Sequence, residues 1–446
     1  MINKFRNIRT EHYEIGKGVL VVGIFLFIGK IIGAAKEIAI AYRYGVSIDV
    51  DAYLYVSNLI VWPINLWFSV LTVVLIPLAV NLRQEKPNEI RIFHSELLGL
   101  ALLIGICLML VAYFFLPFLV NSTSIGLPLT SRKTAISMIQ VLPILIPLGM
   151  VGSLMSVWVL SSGLQINSLL ECLPSLGLLI ITLLFSTEDG FSLIWGTVLG
   201  YSLNVLALIY YMYQRREIGW PRISQKSINW DQFWKGFSII VFGQIFMSMI
   251  SFIDQFYIAN LSSGSISIVN YANRLMGLIL TLGSIAISRA TLPIFSKSKN
   301  ESIKEIKDLY NIAIRWTWIF FIICTFSSLI IWIFSNDIVK LLFERGAFTK
   351  ENSGEVSNLL KYYLIQVPFY CSGIVLVSLL ASQKLYTLIA ISGIMNLCVK
   401  LSINWILVPS MDIYGVALGT SFMYILSFIF LLYTVNYKFN LKKVIL

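Results

Sequence analysis

Apolar residues along this chain neither alternate nor recur at every third or fourth position. They run on for twenty residues and more, broken by short polar stretches. A helix rising 1.5 Å per residue needs about 20 such residues to cross a hydrocarbon core of ~30 Å. Runs of that length predict spans near 17–43, 52–80, 94–119, 136–160, 168–186, 191–213, 236–261, 266–295, 312–335, 357–380, 386–409 and 412–437. The expected fold class is an all-α polytopic membrane protein of about twelve transmembrane helices, with both termini on one side.

The informative positions are those where the apolar pattern fails. Gly29 to Asp51 places Lys30, Lys36, Glu37, Arg43, Asp49 and Asp51 in or at the mouth of a span. A lipid-facing charge at bilayer depth costs at least a few kcal/mol, so such side chains face protein or water and mark a pathway. Lys36 and Glu37 project about 100° apart on a helix and need not pair with one another. In the second half, Asp254 and Arg274 are the deeper charges of two successive spans, and an intramembrane pair of opposite sign keeps each tolerable. Asn396, Lys400 and Asn404 recur at four-residue steps, one stripe of a helix that must face a polar interior. Pro143, Pro147 and Pro174 predict bent helices. The stretch 335–357 reads as a short interfacial helix followed by a glycine turn.

Sliding the second half back by 216 positions sets Tyr271, Leu275 and Pro293 on Tyr55, Leu59 and Pro77. Six spans per copy preserve orientation, so the expectation is two parallel, pseudo-symmetric six-helix bundles. Their expected bounds are 1–213 and 236–446, joined by a cytoplasmic linker at 214–235.

Composition narrows the function. Of 446 residues, 58% are hydrophobic and 12% charged, with a net charge of +11. With the N-terminus inside, the inner loops hold most of the Lys and Arg outside the spans. Only Arg43, Arg132, Lys133, Lys340, Arg345 and Lys350 fall on the other side, which is the positive-inside pattern and removes any need for a nucleic-acid partner. The five cysteines are scattered within spans without a CxxC, and His12 and His94 cannot build a histidine-zinc motif, so no metal site is expected. No phosphate loop for ATP is present, so work must be drawn from a gradient or from the substrate.

The pieces GKIIGAAKEIAIAYRYG, VDAYLYVSNL, YANRL, LLFERGAFTKEN and LSINWILVPSMDIYGVALGTS, in that order, resemble the MurJ/MviN flippase family of the MOP exporter group, which also holds Wzx-type and MATE transporters. The resemblance implies a MATE/MurJ-like fold in a bacterial inner membrane, both termini cytoplasmic, and no enzyme activity. It implies alternating access that carries a polyprenyl-diphosphate-linked saccharide, lipid II or a similar precursor of cell-wall biogenesis, to the outer leaflet. The alternatives are an O-antigen or exopolysaccharide repeat-unit flippase and a cation-coupled multidrug exporter. A monomer surrounded by membrane lipids is expected.

By the same resemblance, Lys36 and Glu37 stand where the family has an Arg-Asp pair, Asp51 where it has the Asp that begins span 2, and Arg274 at the span 8 Arg. Sodium ligands of some members map to Asp254, Asn404, Val416 and Thr420, with Lys400 at a further ligand position. The family's span 2 Arg has no counterpart, and Gly277 stands where an acidic residue often follows the span 8 Arg. Many lipid II flippases also add two helices after the twelfth span.

Lys30, Lys36 and Arg274 are the candidate diphosphate clamp, with Glu37, Asp51 and Asp254 holding those cations when the site is empty. An ammonium at Lys400 would compete with sodium by charge and space, so Lys400 is expected to pair with Asp254 as a tethered cation. No cofactor is expected. The coupling alternatives are sodium, protons or the membrane potential alone.

Overall fold

The computed structural model describes residues 25, 27–85, 89–122, 127–162, 167–185, 190–227, 229–297, 303–383 and 385–441. Within them the regular structure is all helix, with no strand, and residues 215–227 form a non-helical connection. Both termini, and with them the start of the first expected span, lie outside the described residues.

Helix α1 runs over 27–44, and a turn at Gly45 leads into α2, Ile48–Glu85. Then come α3, Ile90–Asn121, and α4, Leu129–Ile139. A 3-10 turn at Leu142–Ile144 separates α4 from α5, Leu145–Ser161, and Pro143 sits in the break. The pattern repeats at Pro174: α6, Asn167–Leu170, stops short of α7, Leu173–Leu184, whose first turn holds that proline. Glu171 lies in that gap and accepts from Asn167 Nδ2 at 2.7 Å. A proline lacks the amide a helix interior needs, so the bends expected at Pro143 and Pro174 become helix boundaries, while Pro147 sits within the first turn of α5.

The remaining helices are α8, Phe191–Gln214; α9, Trp230–Ala259; α10, Ser265–Lys297; α11, Ile303–Ile333; α12, Ser335–Phe343; α13, Lys350–Leu364; α14, Val367–Ser382; and α15, Tyr386–Leu441. Asp412 interrupts α15 at φ 48°, and the chain turns back there. The reversal brings Gly419 against Asn404 and makes α15 two antiparallel arms. Eight helical stretches among the described residues are long and apolar enough to cross a membrane. Among these eight the two arms of α15 count once, and α1, α7 and α10 are not included, so the expected number of twelve is not confirmed.

The chain divides into two compact units. One comprises Met1–Thr123 and Leu129–Gln244, the other Ser124–Pro128 and Ile245–Leu446, so the boundary falls inside α9. In the first unit α2 packs on α4 and α5, α3 on α5, and α8 on α5 and α7. Lipid tails are as apolar as leucine, so association rests on close packing and hydrogen bonds. Gly177 of α7 lies against the backbone of Gly200 of α8, an approach no larger residue permits. Tyr53 and Thr197 hydroxyls meet at 2.7 Å, and Trp67 Nε1 donates to Met150 O at 3.2 Å.

In the second unit α14 packs on α10, α11 and α15, while α13 packs on α10, α12 and α15. The Thr349 hydroxyl caps α13 by accepting from Asn352 N at 3.2 Å. Tyr271 of α10 is fully buried between Phe343 and Phe348, ring centroids 5.2 and 5.3 Å away. Two of the motif pieces on which the resemblance rests, YANRL and LLFERGAFTKEN, are therefore one packed cluster.

Candidate functional site

The predicted site residues fall into two groups, one in each unit. In the first unit, Lys36 Nζ lies 2.9 Å from Glu37 Oε1, with side chains 15% and 8% exposed. Position on the helix does not require this pair, because successive residues diverge around it, although Glu37 is expected to hold one of the clamp cations. The lysine stem is long enough to fold back across that angle, and at this depth a bare ammonium beside a bare carboxylate costs more than the bent rotamer. Glu37 is buried and the lysine keeps an exposed edge, so the pair presents its positive end. Asp51 is buried in the first turn of α2, where the helix dipole favours a carboxylate. Lys30 stands exposed on α1 and makes no ion pair among the described residues.

In the second unit, Lys400 is completely buried. Its ammonium lies 2.8 Å from Asp254 Oδ1 on α9 and donates to Val416 O at 3.0 Å and to Thr420 Oγ1, both on the returning arm of α15. Asn404, one turn on from Lys400, donates from Nδ2 to the same Asp254 Oδ1 at 3.0 Å. The reversal at Asp412 sets Val416 and Thr420 opposite Lys400, and the four-residue step sets Lys400 and Asn404 on one face toward Asp254. All five predicted members of this group meet. The ion pair on Asp254 is formed by Lys400, where the sequence left Arg274 as another partner in reach. Arg274 lies exposed on α10.

Sequence reasoning passed over a third polar cluster. Arg83, which falls beyond the expected span 52–80, ends α2 with its guanidinium over the Trp158 ring. It donates to Ser161 Oγ at 2.6 Å and pairs with Glu217 Oε2 at 3.0 Å, which also accepts from Trp158 Nε1 at 2.9 Å. Nearby, Glu96 of α3 accepts from Trp230 Nε1 at 2.7 Å, from the backbone of Lys226 and from the hydroxyls of Ser224 and Ser227. Arg222 N donates to Ser95 O at 2.9 Å, and the Arg222 carbonyl presses on Gly99. The described part of the linker is thus strapped along α3 and the end of α2. The signal was a glutamate at the mouth of an apolar run, HSELLGLALL.

The sequence profile of the family described as "Lipid II flippase MurJ" matches residues 19–445. A protein of Buchnera aphidicola subsp. Baizongia pistaciae (strain Bp) named "Probable lipid II flippase MurJ" is 26% identical over 391 residues, 84% of this chain and 75% of that one. Among solved structures, "Lipid II flippase MurJ, inward closed conformation" superposes with TM-score 0.79 at 20% identity, covering 94% of this chain and 87% of its own. A MATE family multidrug transporter of the MOP superfamily, inward-facing, gives TM-score 0.75 at 16% identity over 93% and 95% of the two chains. At those identities the two structures establish a shared polytopic helical fold.

Proposed function

Because the chain belongs to the lipid II flippase MurJ family, we propose that it carries lipid II, a polyprenyl-diphosphate-linked glycan, from the inner to the outer leaflet of a bacterial inner membrane. Both termini are cytoplasmic in this reading, and the protein acts as a transporter by alternating access. The task is electrostatic. Moving a bare diphosphate through hydrocarbon costs tens of kcal/mol by Born solvation, so protein groups must replace water around it.

The observation that carries the reading is the Lys36–Glu37 pair in the first membrane helix. A buried carboxylate steadies an ammonium that keeps an exposed edge, so a phosphate oxygen can take the place of the carboxylate. Arg274 is the candidate contact of the second unit, its guanidinium suited to bidentate binding of phosphate. Lys30 and Asp51 complete the candidate set. Neither the repeat-unit flippase nor the multidrug exporter is favoured, because the family match names lipid II and the exposed cations suit an anion.

The test is lipid II flipping in proteoliposomes beside growth of flippase-depleted cells. A charge-assisted hydrogen bond is worth about 1.5–3 kcal/mol, so Lys36→Ala and Arg274→Ala should each slow flipping about tenfold or more. Lys36→Arg should retain most of it. Full activity in both alanine variants at wild-type expression would remove these residues from the pathway.

A further inference from the structure

Lys400 has a surrounding that a lysine rarely has. It is fully buried in the membrane-spanning part of the second unit, and its ammonium is met by a carboxylate, a backbone carbonyl and a hydroxyl from two helical segments, α9 and the returning arm of α15. Those are hard oxygen donors of the kind that bind small cations. Asn404 is fully buried beside them: its amide nitrogen is spent on Asp254, and its Oδ1, without a hydrogen-bond partner, lies against Gly419. The resemblance maps a sodium site onto Asp254, Asn404, Val416 and Thr420. The residues present do not fit a sodium ion, because a charged side chain of the protein already occupies the space and uses three of those oxygens.

We infer that this protein carries its own counter-cation: the Lys400 ammonium fills an oxygen cradle that, without it, takes a small monovalent cation such as sodium. The site in its native form therefore neither binds sodium nor couples transport to it. One positive charge is needed there to neutralise Asp254 in a low-dielectric bundle, and the tether supplies it at every sodium concentration. Shortening the side chain leaves the Asp254 carboxylate, the Val416 carbonyl and the Thr420 hydroxyl without their cation, which converts a sodium-blind bundle into a sodium-requiring one. The binding part of this inference stands on the geometry of the second unit alone. Its consequence for coupling rests on the flippase reading above.

The experiment uses the full-length protein purified in detergent, with thermal unfolding followed in NaCl and in choline chloride at equal ionic strength. Wild type is expected to unfold at one temperature in both salts and to bind no 22Na+ above background. Lys400→Ala is expected to unfold several degrees lower in choline and to regain part of that loss in NaCl. Lys400→Ala combined with Asp254→Asn should lose the sodium response. Sodium-specific stabilisation or 22Na+ binding in wild type would overturn the inference, and that measurement decides the matter even if Lys400→Ala does not fold. A folded Lys400→Ala without any sodium response would also overturn it. In proteoliposomes, wild-type lipid II flipping should be unchanged when choline replaces sodium. Absence of flipping in both salts, with the unfolding results as expected, would sink the flippase reading and leave the cradle intact.

Discussion

A single buried ammonium decides the second unit's local energetics. Lys400 and Asp254 each depend on the other, and Asn404 lends the carboxylate a further donor. Removing one partner of a buried pair leaves an uncompensated charge and typically costs about 3–5 kcal/mol, the lower end applying here because Asp254 is 20% exposed. Asp254→Asn and Lys400→Met should therefore each lower the unfolding temperature strongly in sodium-free buffer. The double variant should recover much of the loss, since two neutral groups need no partner. Additive losses in that double-mutant cycle would mean the two residues act separately. How much of this was legible at residue scale follows from what a sequence encodes. The four-residue step of Asn396, Lys400 and Asn404 marks a face, and a lone carboxylate on another span marks its partner. Lys36 and Glu37 show the opposite case, because a pairing between adjacent residues depends on a side-chain rotamer and not on helical position.

Elements were the most legible layer, and the exceptions have physical causes. Two of the three prolines read as bends became boundaries, Pro143 and Pro174, because a missing amide acts locally, while Pro147 is taken into the first turn of α5, where the amide has no helical partner to lose. The glycine turn after the short surface helix is there at Gly346, with φ 60°. The strap was not legible. Residues 215–227 have no periodicity to read, and their anchor, Glu96, belongs to a helix more than a hundred positions earlier. That carboxylate gathers an indole, two hydroxyls and the Lys226 amide, so Glu96→Ala strands several donors at once. With hydrogen bonds to charged groups worth about 1.5–3 kcal/mol, the substitution should cost about 3 kcal/mol. It should also expose the linker to limited proteolysis between Arg215 and Lys226 before the helices are cut. Resistance equal to wild type would mean the strap is held by its other contacts, Arg83 with Glu217 and Arg222 N with Ser95 O.

At the scale of the whole molecule the question is what drives the cycle. If the positive charge facing Asp254 is covalently fixed, no cation travels with the substrate, and the charge crossing the membrane is that of the substrate itself. Lipid II carries a diphosphate, so outward movement transfers about two negative charges. Against an inside-negative potential that movement releases roughly 4–5 kcal/mol per 100 mV, a bias of about a thousandfold in the equilibrium between leaflets. If Lys400 closes that cradle to sodium as inferred above, a sodium gradient should contribute nothing. Proteoliposomes holding lipid II can separate the two: a potassium diffusion potential of about 100 mV set with valinomycin should drive lipid II to the positive side far beyond an even distribution. An equally steep sodium gradient at zero potential should leave it evenly spread. Accumulation under the sodium gradient alone would mean that a cation binds elsewhere in the chain. Equal spread under the potential would mean that compensating charge moves back through the protein during each cycle, and Lys36 and Arg274, the cations proposed to meet the phosphates, are the groups whose return would carry it.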